Sequence, residues 1–198
     1  MDYKNYIWDL GGTLLDNYES STHAFAATIW KMSERVVLHD EVYAALKIST
    51  AHAVETFAAD LPDFLKNYKA LEAETLRKPI LFNDAQLLLE TIKKNNSQNF
   101  MISHRDKQVL DILSAANIKQ YFTEVVTADD GFPRKPAPDS ILYLLKKYQL
   151  NPKETVMIGD RSIDIEAGNA AKVNTIFFDP KASLSIATKN IKSLSELL

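Results

Sequence analysis

The chain has no cysteine. This excludes disulfides and a thiol nucleophile, and it fits a reducing compartment. No apolar run approaches the ~18 residues that a membrane-spanning helix needs. The opening residues, Met-Asp-Tyr-Lys-Asn, lack the basic-then-apolar pattern of a secretory signal. The expectation is a soluble cytoplasmic protein with no membrane partner, as a monomer or weak homodimer. Positive charge is not in excess either. With 23 Lys and Arg against 26 Asp and Glu, no basic face advertises nucleic acid as a partner. Glycine is scarce: there are five, and none lies between Gly12 and Gly131. There is no internal repeat and no low-complexity segment.

What is present points to an α/β protein. The 198 residues suffice for one α/β core and a small insert. Apolar runs of strand length cover Asn5 to Asp9, Asn99 to Ser103, Glu124 to Thr127, Thr155 to Ile158 and Thr175 to Phe178. Helical patterns separate them at Asp84 to Asn95 (through Leu87, Leu88 and Ile92), Lys107 to Ala116, Ser140 to Tyr148 and Ile163 to Ala171. Strands alternating with helices predict a doubly wound parallel sheet. The tail, Leu184 to Leu198, is expected to hold a last short helix.

The long gap without glycine reads as four helices, over about Asp16 to Lys78. Ser20, Ser21 or Thr22 caps the first, which runs to Val37 with Phe25, Ile29, Met32 and Val36 on one face. Asp40 caps a second, carrying Val42, Leu46 and Ile48. Ser49 or Thr50 caps a third, with Val54, Phe57 and Ala58. Asp60-Leu61-Pro62 opens a fourth, with Phe64, Tyr68, Leu71 and Leu76, and Pro79 closes it. The domains are therefore a core of residues 1–15 and 79–198 and a helical unit of residues 16–78. This unit holds 7 Lys or Arg and 10 Asp or Glu, and the rest of the chain holds 16 of each. An acid excess there argues against a large polyanionic substrate. His23, His39 and His52 show no metal-ligand spacing.

Polar residues collect where the apolar runs stop. Asp9 ends the first run, and in an open parallel sheet ligands bind at the carboxyl ends of strands. Gly11 and Gly12 follow, letting the backbone turn sharply and approach a ligand. Ser103 ends the second run, with His104 and Arg105 next. Lys135 sits in a loop stiffened by Pro133 and Pro136. Gly159 and Asp160 end a further run, and Asp164 lies four residues on. In this ordered set (Asp9-Leu10-Gly11-Gly12-Thr13, Ser103, Lys135-Pro136-Ala137-Pro138, and Gly159-Asp160 through Asp164) the sequence resembles the haloacid dehalogenase-like hydrolases. The likeness is greatest to the branch with a helical cap after the first motif, the phosphoglycolate phosphatase and β-phosphoglucomutase type.

The resemblance implies a strand order of five-four-one-two-three and a cap that closes over the strand ends to expel water. It implies that Asp9 is a nucleophile that forms an aspartyl phosphate on a small phosphorylated metabolite. Mg²⁺ would be held by Asp9, Asp160 and the carbonyl of Gly11, with Asp164 in support. Ser103, Lys135, Gly12 and His104 would face the phosphoryl group. One position departs from the family pattern. Where the phosphatases carry a second Asp as acid and base, this chain has Gly11. Three explanations stay open: a substrate whose leaving group needs little protonation, such as an acyl phosphate; a proton from His104, Asp16 or a cap residue; or a phosphate-binding or regulatory protein with little turnover. A phosphonate-cleaving relative is a further alternative, needing a cap lysine, for which Lys31, Lys47, Lys66, Lys69 and Lys78 are available. A phosphorylated receiver domain shares the strand-end chemistry, but the helical insert and the length argue against it.

Overall fold

The computed structural model describes residues 3–75, 77–180 and 182–198. The chain divides into two compact units, Met1–Leu15 with Leu81–Leu198, and Asp16–Ile80. The return to the first unit thus comes at Leu81.

The second unit is helical: α1 (Asn17–Ser33), α2 (His39–Ile48), α3 (Thr50–Phe57) and α4 (Phe64–Thr75). Its core gathers Phe25, Ile29, Val42, Leu46, Ala53, Phe64 and Tyr68. The helix ends differ from the sequence pattern for local reasons. Asp16, and not Ser20 to Thr22, stands at the start of α1. That helix stops where Glu34 turns left-handed (φ 56°), its amide donating to the Trp30 carbonyl. Val36 therefore lies past the helix and is exposed. Ser49 caps α3 as expected, its Oγ accepting the His52 amide at 2.9 Å. The fourth helix begins at Phe64 after a left-handed Asp63, later than the Asp60-Leu61-Pro62 signal. Leu76, expected on its face, lies outside the described residues. A buried carboxylate joins α1 to α4: Glu72 accepts hydrogen bonds from Ser21, Tyr68 and Lys69. Burying a charge is tolerable only when it is paired in this way.

The first unit holds a parallel sheet with strands β1 (Asn5–Trp8), β2 (Gln98–Ile102), β3 (Phe122–Val126), β4 (Thr155–Gly159), β5 (Asn174–Phe178) and β6 (Lys189–Ile191). Among the described residues they lie in the order β3-β2-β1-β4-β5-β6, with β1 between β2 and β4. Helices α5 (Ala85–Lys94), α6 (Gln108–Ala115), α7 (Asp139–Lys147) and α8 (Ser162–Ala170) connect them. Every residue of β1 and β4 is buried, as expected of parallel strands covered on both faces. Asn99, polar and buried within β2, is satisfied: it accepts from the Trp8 indole at 3.0 Å and donates to the Leu89 carbonyl at 3.1 Å.

Two readings of this unit need correction. The tail holds a sixth strand as well as a 3-10 turn over Leu194–Leu197. In α5 the buried face is Ala85, Leu88, Leu89 and Ile92, an i, i+3, i+4, i+7 set. Leu87 lies one step off that face and is exposed. Where the sequence leaves and re-enters this unit, the two passing segments are tied. Leu15 pairs antiparallel with Leu81, and the Phe82 amide donates to the Leu14 carbonyl at 3.0 Å.

Candidate active site

The order β2-β1-β4 decides the site. Three adjacent parallel strands end side by side, so the residues that follow them emerge together: Ser103 after β2, Asp9 after β1 and Asp160 after β4. The pairing continues just past the strand ends, with the Asp9 amide donating to the Ile158 carbonyl and the Ser103 amide to that of Val126, both at 2.9 Å. An oxygen from each of Asp9, Asp160 and Asp164 lies within 4.8 Å of the others. Residues more than 150 positions apart thus present three hard oxygen donors to one point. Asp160 is fixed in part by Thr13, whose buried hydroxyl donates to its Oδ1 at 3.3 Å.

Lys135 bridges two of the carboxylates. Its Nζ lies 2.5 Å from Asp9 Oδ1 and 2.5 Å from Asp164 Oδ1, and the side chain is 3% exposed. Burial alone would lower the ammonium's pKa. The negative charges of Asp164 and Asp9 more than offset it and hold the pKa above its ordinary value, so the group is a cation at any working pH. The three carboxylates and Lys135 carry a formal charge of −2 when all are ionised. That deficit and the all-oxygen donor set fit Mg²⁺, which takes carboxylates at few points and completes its shell with water and phosphate.

Asp164 is positioned by its own helix. It is the third residue of α8, and its Oδ2 accepts the Arg161 amide at 3.1 Å, satisfying a donor left free at the helix start. Gly159 makes room for it. A methyl group at Gly159 would fall onto the Cβ, Cγ and Oδ2 of Asp164. Gly159 therefore serves this close approach, not a turn.

Ser103 is buried, and its Oγ accepts the Arg105 amide at 3.2 Å, which leaves its proton to donate. His104 holds the Lys135 loop: its Nε2 accepts the Lys135 amide at 3.0 Å. Burial, then the positive charges of Lys135 and Arg134, lower its pKa to about 4. At neutral pH the ring is uncharged and is no ready proton donor. Arg134 donates to the His104 carbonyl at 3.3 Å and so clasps the same loop. Lys135-Pro136 is a cis peptide.

The loop after Asp9 is a tight one. The amides of Thr13, Leu14 and Leu15 all donate to the Leu10 carbonyl, at 3.4, 3.0 and 2.9 Å. Gly12 has φ 84°, a conformation that costs glycine nothing and other residues a good deal. Gly11 is not among the left-handed residues. Its φ therefore does not call for glycine. Of the residues singled out from sequence, Asp9, Asp160 and Asp164 come together and Lys135 joins them, while Ser103 stands at the end of the neighbouring strand. Sequence reasoning missed Thr13 as a hydrogen-bond partner and Gly159 as a spacer; the signal for the latter was a glycine at the last position of a strand, next to a polar residue.

Strand order, strand-end carboxylates and a buried lysine define a class. A family model described as haloacid dehalogenase-like hydrolase matches residues 6–178, and the chain belongs to that family of hydrolases. Among curated relatives, a pyrophosphatase PpaX of Bacillus pumilus is 26% identical over 177 residues, spanning 85% of this chain and 80% of that protein. A phosphoglycolate phosphatase of Aquifex aeolicus is 25% identical over 178 residues, spanning 85% and 81%. Among solved structures, a hydrolase from Streptococcus pneumoniae TIGR4 is 54% identical, with a TM-score of 0.74 over 88% of this chain and 92% of that one. No helix among the described residues is long and apolar enough to cross a membrane.

Proposed function

We propose that this hydrolase is Mg²⁺-dependent and acts on a small phosphorylated metabolite, a phosphomonoester or an acyl phosphate, through phosphorylation of Asp9. The observation that carries the reading is the convergence of Asp9, Asp160 and Asp164 on one point with Lys135 buried between two of them. A carboxylate oxygen of Asp9 attacks phosphorus, and the bond from phosphorus to the leaving oxygen breaks, its electron pair departing with that oxygen. Water then attacks the aspartyl phosphate, releasing inorganic phosphate and restoring Asp9. Bound by Asp9, Asp160 and the Gly11 carbonyl, with Asp164 in support, Mg²⁺ would offset the repulsion between nucleophile and phosphoryl oxygens. Lys135 adds a fixed positive charge beside the nucleophile. The Ser103 hydroxyl is a donor for phosphoryl oxygens; the Gly12 amide, expected to join it, is given instead to the Leu15 carbonyl at 2.8 Å. His104 sets the place of the Lys135 loop.

Gly11 narrows the substrate. General acid-base catalysis is typically worth roughly 10²–10⁴-fold, and glycine supplies none. A leaving group that departs as a stable anion needs it least. Acyl phosphates qualify, and so do phosphoanhydrides of the kind that the name of the PpaX relative indicates. The same glycine favours a second reading, a phosphate-binding protein with little turnover. The test is hydrolysis of an activated aryl phosphate with and without Mg²⁺, by the wild type and by Asp9→Asn, with Mg²⁺ titration of Asp160→Asn by calorimetry. Turnover should require Mg²⁺ and vanish in Asp9→Asn, and Asp160→Asn should bind Mg²⁺ more weakly. Wild-type turnover in Asp9→Asn, or unchanged affinity in Asp160→Asn, overturns the assignment. Phosphate binding without turnover in the wild type selects the second reading.

A further inference from the structure

The helical unit carries a second cluster of potential ligands, made by residues that the hydrolytic chemistry does not use. Glu19 and His23 are four residues apart on α1 and so lie one above the other on the same helix face. His39 opens α2, which packs against α1. Oε1 of Glu19 is 3.1 Å from Nε2 of His23 and 3.1 Å from Nε2 of His39. One ligand atom from each of the three lies within 4.8 Å of the others. The two imidazole rings are 5.5 Å apart between centroids.

Two features distinguish this from an ordinary surface ion pair. The first is spacing. In a tetrahedral site with metal–ligand distances of about 2.0–2.1 Å, neighbouring ligand atoms stand roughly 3.3–3.4 Å apart by geometry. The two edges at 3.1 Å are already close to that, and exposed side chains can adjust the third. The second is the far side of His39. Its Nδ1 lies 3.1 Å from Asp40 Oδ1. A carboxylate there fixes the proton on Nδ1 and leaves the Nε2 lone pair facing Glu19 and His23, the arrangement by which carboxylates orient metal-bound imidazoles. Without a metal, Glu19 Oε1 would have to accept from both rings while Asp40 accepts from the other nitrogen of His39. That arrangement keeps His39 doubly protonated, a state which the hydrogen bond to Asp40 and the charge of Glu19 favour, and a divalent ion would compete with those protons for the same exposed pairs, which contribute little by themselves.

We propose that Glu19, His23 and His39 form a site for a divalent transition-metal ion of the Zn²⁺ type, oriented by Asp40 and open to water at its remaining position. Two nitrogens and one carboxylate oxygen suit Zn²⁺, whereas the all-carboxylate group at the strand ends suits Mg²⁺. The ion would clamp the start of α2 to the first turns of α1. The site lies wholly within the helical unit, so it stands or falls independently of the hydrolytic reading.

The test is calorimetric titration of the full chain with Zn²⁺ in the presence of excess Mg²⁺, followed by Co²⁺ substitution. Wild type should bind one Zn²⁺ per chain under these conditions. His23→Gln and His39→Gln should each weaken it at least tenfold, and Asp40→Asn by about 10–100-fold, the usual effect of removing a partner that orients a ligand. Bound Co²⁺ should show the visible absorption of a four-coordinate ion, lost in both histidine variants. Zn²⁺ should raise the melting temperature of wild type and not that of His39→Gln. All three substitutions are at exposed or half-exposed side chains, and circular dichroism checks their folding. No Zn²⁺ binding in excess Mg²⁺, or binding that survives in either histidine variant, overturns the proposal.

Discussion

Replacing Lys135 by methionine tests the centre of the site most directly. The substitution keeps an unbranched chain of similar reach and removes the charge. In the wild type the ammonium is shared by Asp9 and Asp164, both at 2.5 Å, and Asp164 is 1% exposed. Water cannot take the place of the lost cation, so Asp164 is left as a buried, uncompensated carboxylate. Removing one partner of such a pair costs about 3–5 kcal/mol. For a chain of this size each kcal/mol is worth about 2–4 °C, so the sheet unit should melt roughly 6–20 °C lower in chelator at pH 7. Asp164 responds by holding a proton, to which burial and the neighbouring Asp9 already incline it. Its folded pKa then exceeds the unfolded one, so the variant's deficit shrinks as pH falls and grows as pH rises through that folded value. Adding Asp164→Asn removes the stranded charge and should recover much of the loss. Thermal unfolding of the wild type, the single variant and the double variant settles the matter, with aryl phosphate turnover measured alongside. A single variant that melts within about 2 °C of wild type, or a double variant no better than the single, would show that the buried pair does not hold the site as described.

Three further outcomes are expected. Gly159→Ala puts a methyl group onto Asp164; it should cost about 1–3 kcal/mol of stability as overpacking does and weaken Mg²⁺ binding, measured by denaturant titration and calorimetry. His104 has a folded pKa of about 4 against an ordinary 6.5, so the stability its neutral ring contributes is complete above about pH 6.5 and is lost as pH falls toward 4. His104→Gln should therefore lose less stability than wild type over that interval, read from urea midpoints at the two pH values. Gly11→Asp supplies the family's acid and base at a backbone position that is not left-handed. It should raise alkyl phosphate turnover by roughly 10²-fold or more; a folded variant with no gain would mean that another residue is the acid.

Much of this was legible in the sequence because the physics was local. A parallel strand buried on both faces must be an unbroken apolar run, so the polar residue that stops it marks the strand's end. Asp9, Ser103 and Asp160 were visible for that reason. The sixth strand was not. Lys189-Asn190-Ile191 is an edge strand with only Ile191 buried, and three residues with one inward contact carry no period to read. The limits of α1 were hidden because its end depends on a left-handed Glu34, a conformation that composition does not announce. Lys135 looked like a loop lysine between prolines. Its burial against Asp9 and Asp164 is a tertiary fact, set by where the β3–α7 connection falls. His23 and His39 showed no metal-ligand spacing in the sequence, because only the packing of α2 on α1 brings His39 beside Glu19 and His23.

The antiparallel tie between Leu15 and Leu81 has a bearing on how this chain can change. It closes the helical insert at its neck. The sheet then senses two joined ends and not the length of what lies between them. Loop closure grows only as the logarithm of length, about 0.6 kcal/mol for each doubling. The insert can therefore be shortened, lengthened or exchanged at small cost to the strands that carry Asp9, Ser103 and Asp160. The strand-end carboxylates and the helical unit lie on segments free to vary separately. A glycine at position 11 can persist in one while residues 16–80 are rewritten in the other.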